Sequence, residues 1–141
     1  YAKGSGVTPL IETNGHLASS DAMLRFLEAA GQDNAAVLWD IHHTVRYFAE
    51  KPEDTVKKLG GLIKHVHVKD SVMKNGVVEY RMMGYGDIPV QDALTALEKT
   101  GYDGFISLEW VKRWNPELEE PGIAFACFCS YMNYLLAAHR K

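Results

Sequence analysis

Four short apolar bursts recur along the chain, "VTPLIE" (7–12), "AAVLWD" (35–40), "LIKHVHV" (62–68) and "GFISLEW" (104–110), each preceded by Gly, Asn or Asp. They are too short for buried helices and rich in β-branched, aromatic or other large apolar residues, so they read as strands. Helical patterns separate them. Ser19, Ser20 and Asp21 offer N-caps for "AMLRFLEAA", with Met23, Leu24 and Leu27 on one face and Gly31 as its stop. Pro52 opens "PEDTVKKLGG", whose acids come first and lysines last, as the helix dipole prefers. "VQDALTALEKTG" repeats the design with Leu94 and Leu97, and a last helix is predicted over roughly 117–138. This alternation dictates a parallel sheet, because each helix returns the chain to the same end. Four βα units make either an open doubly wound sheet or half of an eight-stranded barrel. The one long connection is 71–89, where Asn75-Gly76 predicts a tight turn within a small hairpin.

A chain of 141 residues that is 47% hydrophobic and 23% charged suits one soluble globular unit, 1–141. Its net charge of −3, with no block of Lys or Arg, offers no field for a polyanion, so neither nucleic acid nor a membrane is expected as a partner. Cys127 and Cys129 lie two apart in an apolar run and are expected as buried, unpaired thiols in a reducing compartment. No run of eighteen apolar residues and no signal-peptide layout is found, which makes the cytoplasm the expected location. The first residue is not Met and a strand follows within a few residues, so a processed or truncated piece of something longer is expected.

Chemistry in such sheets gathers at the C-terminal strand ends. The last inward-facing positions are Glu12, Asp40, His67 and Glu109, separated by 28, 27 and 42 residues, the long gap matching the 71–89 insertion. A lone strand-end glutamate is ordinarily a cap or an ion-pair partner, and a lone buried histidine is ordinarily a core residue. Four such positions at consecutive strand ends call for another account. Three carboxylates in a partly dry pocket repel one another unless a cation sits among them. A donor set of hard oxygen with one nitrogen suits Mn²⁺, Co²⁺ or Mg²⁺ best, with Zn²⁺ also admissible. His67 of "IKHVHVKD" would then be a ligand, and His65 would lie a layer deeper or support it from behind.

Other residues carry weaker signals. His43, three after Asp40, could bind a substrate hydroxyl, add a ligand or simply cap a loop, and Lys69 could hold a substrate oxygen or phosphate or lie exposed at a strand end. Gly84 and Gly86 of "GYGDIP" would let backbone approach a ligand closely, while Trp39, Trp110 and Trp114 could wall a sugar ring or pack the core. Lys69, Arg81 and Arg113 leave room for a phosphorylated substrate.

The motifs "LIETNG", "WDIHHT", "HVHVKD", "GYGDIP" and "GYDGFISLEW" resemble the last four βα units of the xylose isomerase-like TIM barrels, which include sugar phosphate isomerases/epimerases and AP endonuclease family 2. The resemblance runs from about residue 7 to 138 and implies the C-terminal half of an eight-stranded barrel. It implies that Glu12, Asp40, His67 and Glu109 are the metal ligands of the fifth to eighth strands, that Glu12 and Glu109 double as the catalytic acid/base pair, and that His43 contacts substrate. The endonuclease branch carries an Asp-x-His pair after the seventh strand, and "NGVVEYRMMGYG" has none, which argues against cleavage at abasic sites. The first four βα units have no counterpart here, so the chain is expected to pair with another copy as a homo-oligomer, such as a dimer, or to associate with a missing N-terminal half.

The expected function is a divalent-metal-dependent isomerase or epimerase of a small sugar, polyol or sugar phosphate, working by proton transfer through a metal-bound enediolate. A hydrolase or dehydratase at the same centre, and a non-catalytic half-barrel fragment, are the alternatives.

Overall fold

The computed structural model describes residues 2–139. Strands β1 (Leu10–Glu12), β2 (Ala36–Asp40), β3 (Ile63–Val68) and β6 (Phe105–Leu108) form one parallel sheet in the order β1-β2-β3-β6. Strands β4 (Asp70–Lys74) and β5 (Val77–Arg81) make a separate antiparallel hairpin after β3, turning at Asn75 and Gly76, both at positive φ. The helices are α1 (Ser20–Ala30), α2 (Ile41–Phe48), α3 (Pro52–Leu59), α4 (Val90–Glu98) and α5 (Pro121–His139). Helix α1 starts on the Ser19 hydroxyl, which accepts from Ala22 N–H, and stops at Gly31 in the left-handed region, as its sequence predicts. Helix α5 starts later than predicted, at Pro121, whose fixed φ suits a first helical turn.

One face of the sheet is covered and the other is open. Val37, Trp39, Val66 and Val68 are fully buried and pack with Met23, Leu59, Val90 and Leu97 in one apolar cluster. The pairing of β2 with β3 shifts between Val37 and Leu38, so Ile63, Val66 and Val68 are all buried despite their uneven spacing. Trp39 is therefore a core residue, its indole N–H donating to Thr44 Oγ1 at 3.1 Å. The opposite face carries His65, His67 and Ser107, and on it Phe105 of the edge strand β6 is 79% exposed. A partial barrel has this asymmetry: helices cover one side of its sheet, and its inner side is open. The cysteines depart from the expectation of burial. Both are free, but Cys129 is exposed and Cys127 only partly covered, because α5 keeps few of its side chains buried.

Asp70 anchors the hairpin and the loop that follows. Its carboxylate is buried and accepts from the backbone N–H groups of Ser71, Gly84, Gly86 and Ile88 at 2.9–3.2 Å. The glycines of "GYGDIP" thus approach this carboxylate. A Cβ at Gly86 would stand 2.1 Å from Asp70 Oδ1 and 2.5 Å from the Ser71 carbonyl. Gly86→Ala is accordingly expected to lower stability by about 1–3 kcal/mol, read as a lower urea midpoint; an unchanged midpoint would mean that the loop yields freely.

Candidate metal centre

Register brings the four strand-end residues together. Asp40 pairs with His67 across β2 and β3, His67 pairs with Ser107 across β3 and β6, and Glu12 pairs with Leu38, two residues before Asp40. Beyond β6, the Glu109 N–H donates to the Val68 carbonyl at 2.9 Å and carries the row one residue further. One donor atom from each of Glu12, Asp40, His67 and Glu109 lies within 4.8 Å of the others. Thr13 fastens β1 to β2 beside them, its hydroxyl taking the Asp40 N–H at 2.9 Å and donating to the Asp40 carbonyl at 3.3 Å.

Asp40 has a second job that its motif conceals. Its carboxylate accepts from the His42 N–H at 2.9 Å and the His43 N–H at 3.4 Å, capping α2. Helix α2 has a sequence, "IHHTVRYF", of mediocre helix formers, and neither periodicity nor the "D-x-x-H" spacing announces it. The cap places His43 in the first turn of the helix. There its Nδ1–H donates to the Thr13 carbonyl at 3.0 Å, leaving the Nε2 lone pair free of that bond.

The charges are arranged as one pair and one group of three. His67 Nδ1 meets Glu12 Oε1 at 3.1 Å, and Asn14 donates to Glu12 Oε2 at 3.3 Å. The hydrogen bond to His67 is the main reason that Glu12 falls to a pKa of about 2, against the opposing effect of burial. The same bond raises His67 above the ordinary histidine value. Lys69 is 2% exposed and not at a solvent-facing strand end. Its ammonium donates to Asp40 Oδ2 and to Glu109 Oε2. Burial alone would lower Lys69, but the two carboxylates outweigh it and raise its pKa. Burial likewise opposes ionisation of Glu109, yet the Lys69 contact keeps it below the usual range. Asp40, the most deeply buried of the acids, is pushed up by that burial.

Behind this row lies a layer of histidines. His65 meets Ser107 Oγ at 2.9 Å and sits edge-on to His67, with ring centres 5.4 Å apart, which is the deeper position its spacing predicts. His42 gave no sequence signal beyond its place beside His43. It is fully buried, stacked on Tyr80 at 5.5 Å, and bonded through Nε2 to Ser71 Oγ at 2.9 Å, while Nδ1 has no hydrogen-bond partner among the described residues. Burial, reinforced by nearby Lys69, lowers its pKa to about 3, so it is a neutral imidazole. Ser71 Oγ also accepts from Arg46 Nε at 2.9 Å, tying α2 to the hairpin. Of the remaining candidates, Arg81 bonds Glu79, Arg113 lies over the Trp114 ring at 5.1 Å, and the Trp110 indole N–H donates to the Glu119 carbonyl at 2.8 Å.

The sequence model for the xylose isomerase-like TIM barrel matches residues 1–129. The chain belongs to that family. It is 29% identical over 102 residues to a putative hydroxypyruvate isomerase of Streptomyces coelicolor, a match covering 72% of this chain and 33% of that protein. Among solved structures, a xylose isomerase domain protein from Planctomyces limnophilus aligns over 95% of this chain and 46% of its own, at 22% identity and a TM-score of 0.74. L-ribulose 3-epimerase aligns over 99% of this chain and 50% of its own, at 20% identity and the same TM-score of 0.74. This partial barrel therefore spans a third of the curated relative and about half of those solved chains.

The Glu12–His67 pair has a pH signature in the metal-free protein. Glu12, with a lowered pKa, stabilises the fold above its unfolded value of 4.5 and loses that contribution as pH falls toward about 2. His67, with a raised pKa, contributes fully below its unfolded value of 6.5 and loses this as pH climbs through its folded value. The pair is expected to stabilise most between pH 4.5 and 6.5. Urea midpoints measured from pH 3 to 9 should show a maximum there that His67→Gln flattens; parallel profiles would contradict the pairing.

Proposed function

We propose that this chain supplies the metal-binding and proton-transfer half of the active site of an isomerase or epimerase acting on a small sugar, polyol or sugar phosphate. The observation that carries the reading is the convergence of Glu12, Asp40, His67 and Glu109. Three carboxylates and an imidazole suit Mn²⁺, Co²⁺ or Mg²⁺, with Zn²⁺ also admissible. That the chain already aims an ammonium at two of these carboxylates supports a demand for positive charge there. When bound, such a cation supplies a Lewis acid for a substrate carbonyl and its neighbouring hydroxyl.

The chain's own residues do the rest. Strand order places Glu12 and Glu109 on the two outer members of the row, with Asp40 and His67 between them. The glutamates thus flank a substrate lying across the centre. One removes the proton from the carbon beside the carbonyl. In isomerisation that proton returns to the former carbonyl carbon, while the neighbouring hydroxyl passes its proton to the old carbonyl oxygen and becomes the new carbonyl; in epimerisation the other glutamate delivers a proton to the opposite face of the same carbon. His43, with Nδ1–H held by Thr13, can accept from a substrate hydroxyl through Nε2. The open inner face, with Phe105 79% exposed, supports a barrel completed by further βα units, from an N-terminal half or a second copy, which would also form the far wall of the pocket.

Incubation with Mn²⁺ and a panel of small hydroxycarbonyl sugars and their phosphates in D₂O tests the reading. Deuterium should enter the carbon next to the carbonyl, and Glu109→Gln should slow that entry by at least about 100-fold. Full exchange in the variant would remove Glu109 from the chemistry, and release of phosphate or water without exchange would favour a hydrolase or dehydratase.

A further inference from the structure

Lys69 raises a question that the metal reading does not answer. It follows His65 and His67 at the same two-residue spacing, so its side chain continues their row on the inner face. There it is buried, and its ammonium holds one oxygen of Asp40 and one of Glu109. Glu12 is occupied differently, by His67 and Asn14. Two of the four candidate ligands are therefore engaged by a cation that the chain itself provides, and a divalent ion joining all four would draw on the same two carboxylates.

We infer that Lys69 is a tethered cation that occupies the carboxylate ligands of the metal-free site and yields them when a divalent metal binds. The inference rests on the metal reading of Glu12, Asp40, His67 and Glu109. Without metal, the cluster gathers three carboxylates in a partly buried place, and the ammonium lets the strand ends stay together in spite of their repulsion. With metal, the same ammonium competes for ligand oxygens and repels the incoming dication. Lys69 thus stabilises the empty site and weakens its affinity, which makes it a positioning residue that sets how much free metal is needed to load the centre. A lysine that merely latches β3 to the end of β6 would have the opposite effect, since its loss would loosen the ligands and weaken metal binding.

Calorimetric titration of Mn²⁺ into the wild-type chain, Lys69→Met, Lys69→Gln and Glu12→Ala separates these roles, with circular dichroism reporting whether each variant folds. The expected result is that the wild type binds Mn²⁺, that either Lys69 variant binds it at least about ten-fold tighter, and that Mn²⁺ raises the melting temperature of the Lys69 variants by more than it raises that of the wild type. Binding by a Lys69 variant alone would also support the inference. Equal or weaker binding in the Lys69 variants, beside normal binding in the wild type, would overturn the inference and leave the metal reading standing. Absence of Mn²⁺ binding in every protein would overturn both. If both Lys69 variants fail to fold, the ¹⁵Nζ resonance of Lys69 in the wild type decides: a shift on saturation with diamagnetic Mg²⁺ supports release of the carboxylates, and an unmoved resonance overturns it.

Discussion

Carboxylates gathered at one point repel one another, and a protein that gathers three must supply positive charge or leave one of them protonated. This constraint organises the site. Glu12 is matched by His67 and Glu109 by Lys69, while Asp40, the most buried, takes the second Lys69 hydrogen bond and two backbone N–H groups from α2. Burying an unpaired carboxylate costs several kcal/mol even after relaxation, roughly half or more of a small domain's whole stability. An arrangement with that potential cost fits a place where charge is to be used, and the same donors suit a divalent ion.

The fold delivers the acids through parallel register. Each βα unit returns the chain to the same sheet end, and the Cα pairing of Asp40 with His67 and of His67 with Ser107 aligns the row. Thr13, by bonding both the N–H and the carbonyl of Asp40, fixes the height of β1 against β2. The hairpin and its following loop are held apart from this row by a different carboxylate, Asp70, whose four backbone donors satisfy it without any cation. Two neighbouring residues of one motif, Lys69 and Asp70, therefore serve opposite ends: one brings charge to the site, the other closes the loop beside it.

Much of this was legible in the sequence because it repeats. Strand bursts at βα spacing, a polar residue at the last inward-facing position of each, and the helix starts marked by Ser19 and Pro52 follow from local chemistry that tertiary context did not override. Helix α2 is hidden because "IHHTVRYF" has Arg46 as its one strong helix former and draws its start from Asp40, a residue that also ends a strand. Sequence alone admits Lys69 as a substrate contact or an exposed strand-end lysine, although its spacing from His65 and His67 puts it on the inward row; sequence gives facing but not the depth of burial. The glycines of "GYGDIP" signalled close approach correctly, but their partner, Asp70, lies in a different motif and is found only once the loop folds back.

The four strand ends are proposed to form one divalent-cation site. The most direct test of this proposal is a crystal of the chain soaked in Mn²⁺, with anomalous diffraction measured on the high-energy side of the manganese edge. One strong peak is expected within about 2.0–2.3 Å of oxygens of Glu12, Asp40 and Glu109 and a ring nitrogen of His67, with Lys69 moved off at least one of its two carboxylates. A peak confined to surface acids, or none at the strand ends with Lys69 still bridging Asp40 and Glu109, would contradict it.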